Sequence, residues 1–161
     1  MKFKLVPEPP ADLSFVADAK RAVPLVPGTE DDCCRRLMDR VGFESRDVAR
    51  TWLTFLRALE LAEETESGFA RTRRDPARDT LAVAFRERVY GADRLLDRLA
   101  TAGPLSADEA FEAFREDIPT WERHKDPSRV EDVWRERVAN LLAWAVLLDL
   151  AERTDEGYRQ T

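Results

Sequence analysis

The residue types that carry catalysis or bind metals are scarce in this chain. Its two cysteines, Cys33 and Cys34, are adjacent, and its one histidine is His124. Adjacent cysteines do not frame a disulfide scaffold. A structural zinc site takes four N or S donors, more than these side chains supply. A thiol nucleophile needs a base within hydrogen-bond reach, and His124 stands far along the chain in the polar stretch Trp121-Glu-Arg-His-Lys, which reads as a surface loop. No Gly-rich phosphate loop, paired-carboxylate motif or Ser/His/Asp arrangement is present. The reading is of a non-enzymatic chain with no catalytic residues, no metal site and no cofactor. On a helix the two cysteines stand about 100° apart, so one is expected to be buried and one near the surface.

What remains as chemistry is arginine. Arg46, Arg50 and Arg57 recur at spacings of four and seven with Thr54 between them, on the face opposite Trp52, Phe55, Leu56 and Leu59. Arg71, Arg73 and Arg74 follow a Gly turn shortly afterwards. Arginine grips phosphate oxygens and reads guanine edges from the major groove. The alternative is a set of solvated arginines, some paired with Asp47 or Glu60.

Composition sets the context. The chain has 161 residues, with 22 Arg but 4 Lys against 16 Asp and 16 Glu, and a net charge of −6. This Arg-over-Lys, carboxylate-rich balance suits a salt-adapted cytoplasm, where acidic surfaces stay soluble and high salt strengthens apolar association. It points to a haloarchaeal source, with any high-GC organism as the alternative. No apolar run is long enough to span a membrane. The start, MKFKLVPEPP, lacks the apolar core of a signal peptide. The expected location is the cytoplasm.

The elements that position the arginines are well signalled. Thr29 caps a helix to about Arg40, with Glu30, Asp31 and Asp32 in its first turn and Cys33, Leu37, Met38 and Val41 on its apolar side. After the break Gly42-Phe-Glu44, Ser45 caps a second helix to about Leu59, burying Val48, Ala49, Trp52, Phe55, Leu56 and Leu59. Phe15, Val16, Ala19, Ala22 and Val23 suggest a first helix, after an extended Phe3–Pro10. Leu61–Thr65 and Phe69–Thr72 can pair as a hairpin about Gly68.

The closing segment recurs. Residues 59–72 align with 148–161 at an offset of 89 without a gap, and seven of fourteen positions are identical. Gly68 falls on Gly157 and Phe69 on Tyr158, and Leu150–Thr154 with Tyr158–Gln160 forms the second hairpin. The chain therefore reads as two copies of one module, residues 1–77 and 78–161, joined near Arg71–Asp79. In the second copy, residues 81–99 read as one long helix. Ser106-Ala-Asp-Glu109 and Ser128-Arg-Val-Glu131 read as capping boxes opening two more.

A helix, a helix-turn-helix and a Gly hairpin, clearest in Arg35–Thr72, resemble the winged helix-turn-helix of archaeal and bacterial transcription regulators. The chain as a whole looks like a tandem winged-helix protein of haloarchaea. The resemblance implies a mainly α fold with small β-hairpin wings and two tandem winged helix-turn-helix modules. It implies DNA binding and transcriptional regulation through a recognition helix at 45–59 and a wing at 61–74. Arg46, Arg50, Thr54, Arg57, Arg71, Arg73 and Arg74 would be the contacts. Winged helices also dock onto proteins, so the alternative is a protein-interaction module of a larger complex.

The second copy lacks that footprint. Glu131, Asp132 and Glu136 stand beside Arg135 and Arg137, and Val138–Leu148 is apolar on nearly every side. Residues 1–77 carry 13 basic and 14 acidic groups, and residues 78–161 carry 13 and 18. The second module is expected to be a scaffold or dimerisation unit. Trp134, Val138, Leu141, Leu142, Ala145 and Leu148 would fill its core. Trp144, Val146 and Leu147 would form an interface, closed by a homodimer on a palindromic site or by packing within the chain.

Overall fold

A computed structural model describes residues 2–161. They form two compact units, residues up to Val89 and Tyr90–Thr161.

The first unit runs α1 (Ser14–Ala22), α2 (Glu30–Val41), α3 (Arg46–Ala58), β1 (Ala62–Thr65), β2 (Gly68–Arg71) and α4 (Arg78–Arg88). The Thr29 side chain caps α2 by accepting from Asp32 N at 3.1 Å. Ser45 caps α3 by accepting from Val48 N at 3.2 Å. Each cap satisfies a donor that the helix itself leaves open. Gly42 ends α2 in the left-handed region (φ 90), which makes the turn into α3 tight. The core is Val16, Ala19, Leu37, Trp52, Phe55, Leu56 and Leu59, with Leu81 and Phe85 from α4. Phe15, Phe43 and Trp52 cluster with centroids 5.3–5.7 Å apart. Two expectations are corrected here. Cys33 and Cys34 are both buried, because α2 packs against α1 on one side and α3 on the other. Val48 is exposed rather than buried, in the first turn of α3.

The second unit runs α5 (Ala92–Ala102), α6 (Ala107–Phe114), a 3-10 turn (Arg115–Asp117), α7 (Thr120–Lys125), α8 (Val130–Leu147), β3 (Ala151–Thr154) and β4 (Gly157–Gln160). The helix expected over residues 81–99 is broken. Val89 turns extended, and Gly91 takes φ 85 where a Cβ would collide with the Phe114 ring. α4 consequently lies in the first unit, whose last residue, Val89, is twelve residues beyond the join near 77 that the sequence suggests. The Ser106–Glu109 capping box forms with both bonds, at 3.0 and 3.1 Å. The one expected at Ser128 does not. Ser128 Oγ bonds Asp126 instead, and Arg129 precedes α8 without a side-chain cap. His124 lies on α7 rather than in a loop.

The duplication is written in the hydrogen bonds. β1 pairs with β2 as Thr65↔Gly68, and β3 with β4 as Thr154↔Gly157. Phe69 exchanges two backbone bonds with Gly28 (2.8 and 2.9 Å), and Tyr158 exchanges two with Leu105 (2.7 and 2.9 Å). These bridges give each wing a third, one-residue strand. Helix α3 ends with Leu61 N bonded to Leu56 O and α8 with Leu150 N bonded to Ala145 O, both at 2.8 Å. This is the six-to-one bond of a Schellman ending. Its left-handed residue is Glu60 (φ 63) in one copy and Asp149 (φ 59) in the other. Thr72 and Thr161 then reach back to those residues' carbonyls at 2.7 and 2.8 Å. All but the Gly28 and Leu105 ends repeat at the offset of 89.

Candidate nucleic-acid interface

Helix α3 buries Ala49, Trp52, Leu53, Phe55 and Leu56 and turns Arg46, Arg50, Thr54 and Arg57 away from that core. The outward row expected from the spacing is therefore present, but its members differ in freedom. Arg46 forms an ion pair with Asp31 and stands 3.6 Å from Glu30, both at the start of α2. Arg50 is exposed and has no charged partner among the described residues. Thr54 is half-buried. Arg57 is largely covered. Its guanidinium lies 5.3 Å from the Phe3 ring centroid and 5.4 Å from that of Phe69, and 3.2 Å from Glu64.

The wing arginines divide the same way. Arg71 donates to the Arg21 carbonyl at 2.9 Å. Arg74 pairs with Glu60 at 2.6 Å, and Glu60 also holds Arg88 at 3.1 Å. Arg73 is exposed and unpaired among the described residues. Lys20, unnoticed in the sequence, donates to the Arg74 carbonyl at 2.5 Å. Burial, and then the charge of Arg71, hold its amine below the ordinary lysine value.

Acid is interleaved with this face. Asp31, Asp47, Glu63, Glu64 and Glu66 are all exposed, and Glu30 is half-buried. The pairing of Arg57 with Glu64 and of Arg46 with Asp31 was not legible in the sequence, since both partners come from other elements. The second unit offers no comparable row. Arg135 is held by Asp108 (2.6 Å) and Glu131 (3.2 Å) over the Phe111 ring, and Arg137 lies over Trp134.

The expected interface residues also separate. Trp144 is fully buried and cannot meet a second chain, as suits a helix apolar on most of its sides. Val146 and Leu147 are half-buried. Burial pushes both cysteine thiols above their ordinary value. Among the described residues no group of three or more His, Cys, Asp or Glu could hold a metal ion, and no helix is long and apolar enough to cross a membrane.

The family model described as the halobacterial double winged helix domain matches residues 1–161. The chain belongs to this family. No curated protein and no solved structure matches it. Membership covers both copies at once, so the double winged helix, rather than either module alone, is the family's unit. The arginine-rich, acidic composition accords with its halobacterial setting.

Proposed function

We propose that this double winged helix protein is a DNA-binding regulator that contacts the duplex with its first unit, while the second unit serves as scaffold. The observation that carries the reading is the pair Arg50 and Arg73. One stands on the outward face of α3 and the other just past the wing, and both guanidinium groups are free to take a phosphate. Arg46 and Arg74 support them. Their carboxylate partners are solvent-accessible, and exposed ion pairs are worth about 0–1 kcal/mol. A phosphate can therefore displace the exposed Asp31 at little cost, whereas Glu60 is half-buried and also holds Arg88. Arg57 acts as a packing residue that fixes α3 against the wing.

The test is binding of a fluorescent duplex at increasing salt. Each phosphate contact removed lowers the slope of log K against log salt by about one unit. Arg50→Ala and Arg73→Ala should each do so, and the double variant by about two units. Absence of duplex binding by the intact protein at low salt refutes the reading.

A second reading, docking onto a protein partner, is favoured by two observations. Acid interrupts the arginine face, and Leu25 and Val26, just before the Gly28 bridge, are 63% and 77% exposed. Nuclease-resistant capture of a partner that Leu25→Ser abolishes would support it over DNA binding.

A further inference from the structure

The two copies differ most between their second and third helices. In the first unit α2 passes to α3 through the turn at 42–45, whereas in the second α6 and α8 are separated by residues 115–129. The first copy closes its winged helix without this insertion, so the fold does not require it. The insertion contains α7, and α7 with the start of α8 lines an open crevice of about 260 Å³.

One wall of the crevice is apolar, made of Trp121, Val130 and Val133. Trp121 is 54% exposed. Trp134 also lines the crevice, and the remaining residues are charged. Lys125, Arg129 and Arg137 face it, against Glu122 and Asp126. Both carboxylates are engaged. Glu122 accepts from the Trp134 indole at 2.5 Å and lies 3.9 Å from Arg137 Nη1, and Asp126 accepts from Ser128 at 3.1 Å. The cations are less well met. Arg137 Nη1 is buried without a hydrogen-bond acceptor. The Arg129 head group has no ion pair among the described residues. Lys125 Nζ stands 5.8 Å from the Trp121 ring centroid.

We propose that this crevice binds a small carboxylate bearing an aromatic ring, with the ring against Trp121 and Val133 and the carboxylate on Lys125 and Arg129. An organic cation is disfavoured, because Lys125 already stands over the Trp121 ring and the lining has one positive charge in excess. The volume falls near the lower end for small-ligand pockets and is too small to seat a partner helix. In molar salt, where charges are screened beyond about 3 Å, the ring contact supplies what long-range attraction cannot.

The test is an NMR titration of the full chain in molar KCl, reading the Trp121 indole N–H resonance. The probe is benzoate; acetate and benzylamine are the comparison ligands. Benzoate is expected to shift the resonance saturably, with acetate and benzylamine weaker by about tenfold or more, a difference of about 1.4 kcal/mol. Trp121→Ala, followed through the Trp134 indole, and Arg129→Ala should each weaken benzoate by a similar factor. Both side chains are exposed, so the melting temperature should hold. Absence of a saturable benzoate shift overturns the proposal, as does benzylamine binding as tightly as benzoate or benzoate affinity that survives Trp121→Ala. The site belongs wholly to the second unit, so its failure leaves the DNA reading of the first unit untouched.

Discussion

Gly68→Ala tests how the wing is fastened to the first unit. Gly68 holds φ 129, and a Cβ there would lie 2.8 Å from the Gly28 carbonyl carbon and closer still to its oxygen. The obstruction is backbone, so no side chain can swing aside. Relief requires parting the Gly28–Phe69 bridge, whose two bonds measure 2.8 and 2.9 Å. A residue forced into such a conformation costs about 1–3 kcal/mol. Losing the two bonds adds about 1 kcal/mol each. The sum is about 3–5 kcal/mol, a large part of the roughly 5–15 kcal/mol that holds a typical domain together. Gly42→Ala supplies the comparison. It too has positive φ (90), but nothing lies within 4 Å of its Cβ position, so it bears the conformational cost alone. That cost is about 1–2 kcal/mol. Urea unfolding at fixed molar KCl, followed by circular dichroism, measures both. Gly157→Ala should match Gly68→Ala, because its Cβ would lie 2.5 Å from the Leu105 carbonyl carbon. If Gly68→Ala is no more destabilising than Gly42→Ala, the close approach is not what fixes the wing.

Arg57→Ala should destabilise the first unit through lost packing on Phe3 and Phe69 while leaving the salt slope of duplex binding nearly unchanged; a fall of a full unit would make it a phosphate contact. Cys33 and Cys34, buried and with thiols raised above their ordinary value, should resist a thiol-specific disulfide reagent at pH 8 in the native protein and react together in urea; rapid native reaction would contradict their placement. Glu109 is held below its ordinary 4.5 by hydrogen bonds at Ser106, and Glu112 and Glu131 by Arg115. A carboxylate depressed in the folded state adds stability above its unfolded value and loses it as pH falls through the folded one. The melting temperature should therefore drop below about pH 4.5, and Glu109→Gln should flatten that drop; an unchanged acid limb would count against the capping box.

The parts of the fold that were legible in the sequence are those with local causes. Thr29, Ser45 and Ser106 each precede a helix they cap, and Gly68 and Gly157 mark hairpins whose register requires them. Ser128 misled because α8 begins at Val130 with Arg129 at its N-cap, so the serine lies one residue too early to accept from the first turn. The long helix over 81–99 misled because its apolar period continues through a three-residue break, Val89–Gly91. Glu60 and Asp149 gave no signal as left-handed positions, since the six-to-one bond and the returning Thr72 or Thr161 impose that conformation from a distance. The arginine row was legible as a face because helical spacing alone fixes direction. Which arginines stay free was legible only in part: Glu60 reads as a partner, but Asp31 and Glu64 arrive from other elements.

The offset of 89 that carries the wing bonds from one copy to the other also carries the outward row, and there the copies part. Arg46 maps onto Arg135, but Arg50, Thr54 and Arg57 map onto Ala139, Ala143 and Val146. Ala139 is exposed, and the other two are half-buried. This substitution is why residues 138–148 read as apolar on every side: the inner stripe was retained and the outer one lost its charge. Even Arg135 is taken up by Asp108 and Glu131. The row on α8 thus keeps one cation, held by two carboxylates, where the row on α3 has three, so this helix face has little to offer a phosphate. The backbone bonds that close the wing persist in both copies and are therefore not what distinguishes them. The chemistry of the two units differs through outward side chains and the inserted α7, which is why DNA binding is assigned to the first and the carboxylate crevice to the second.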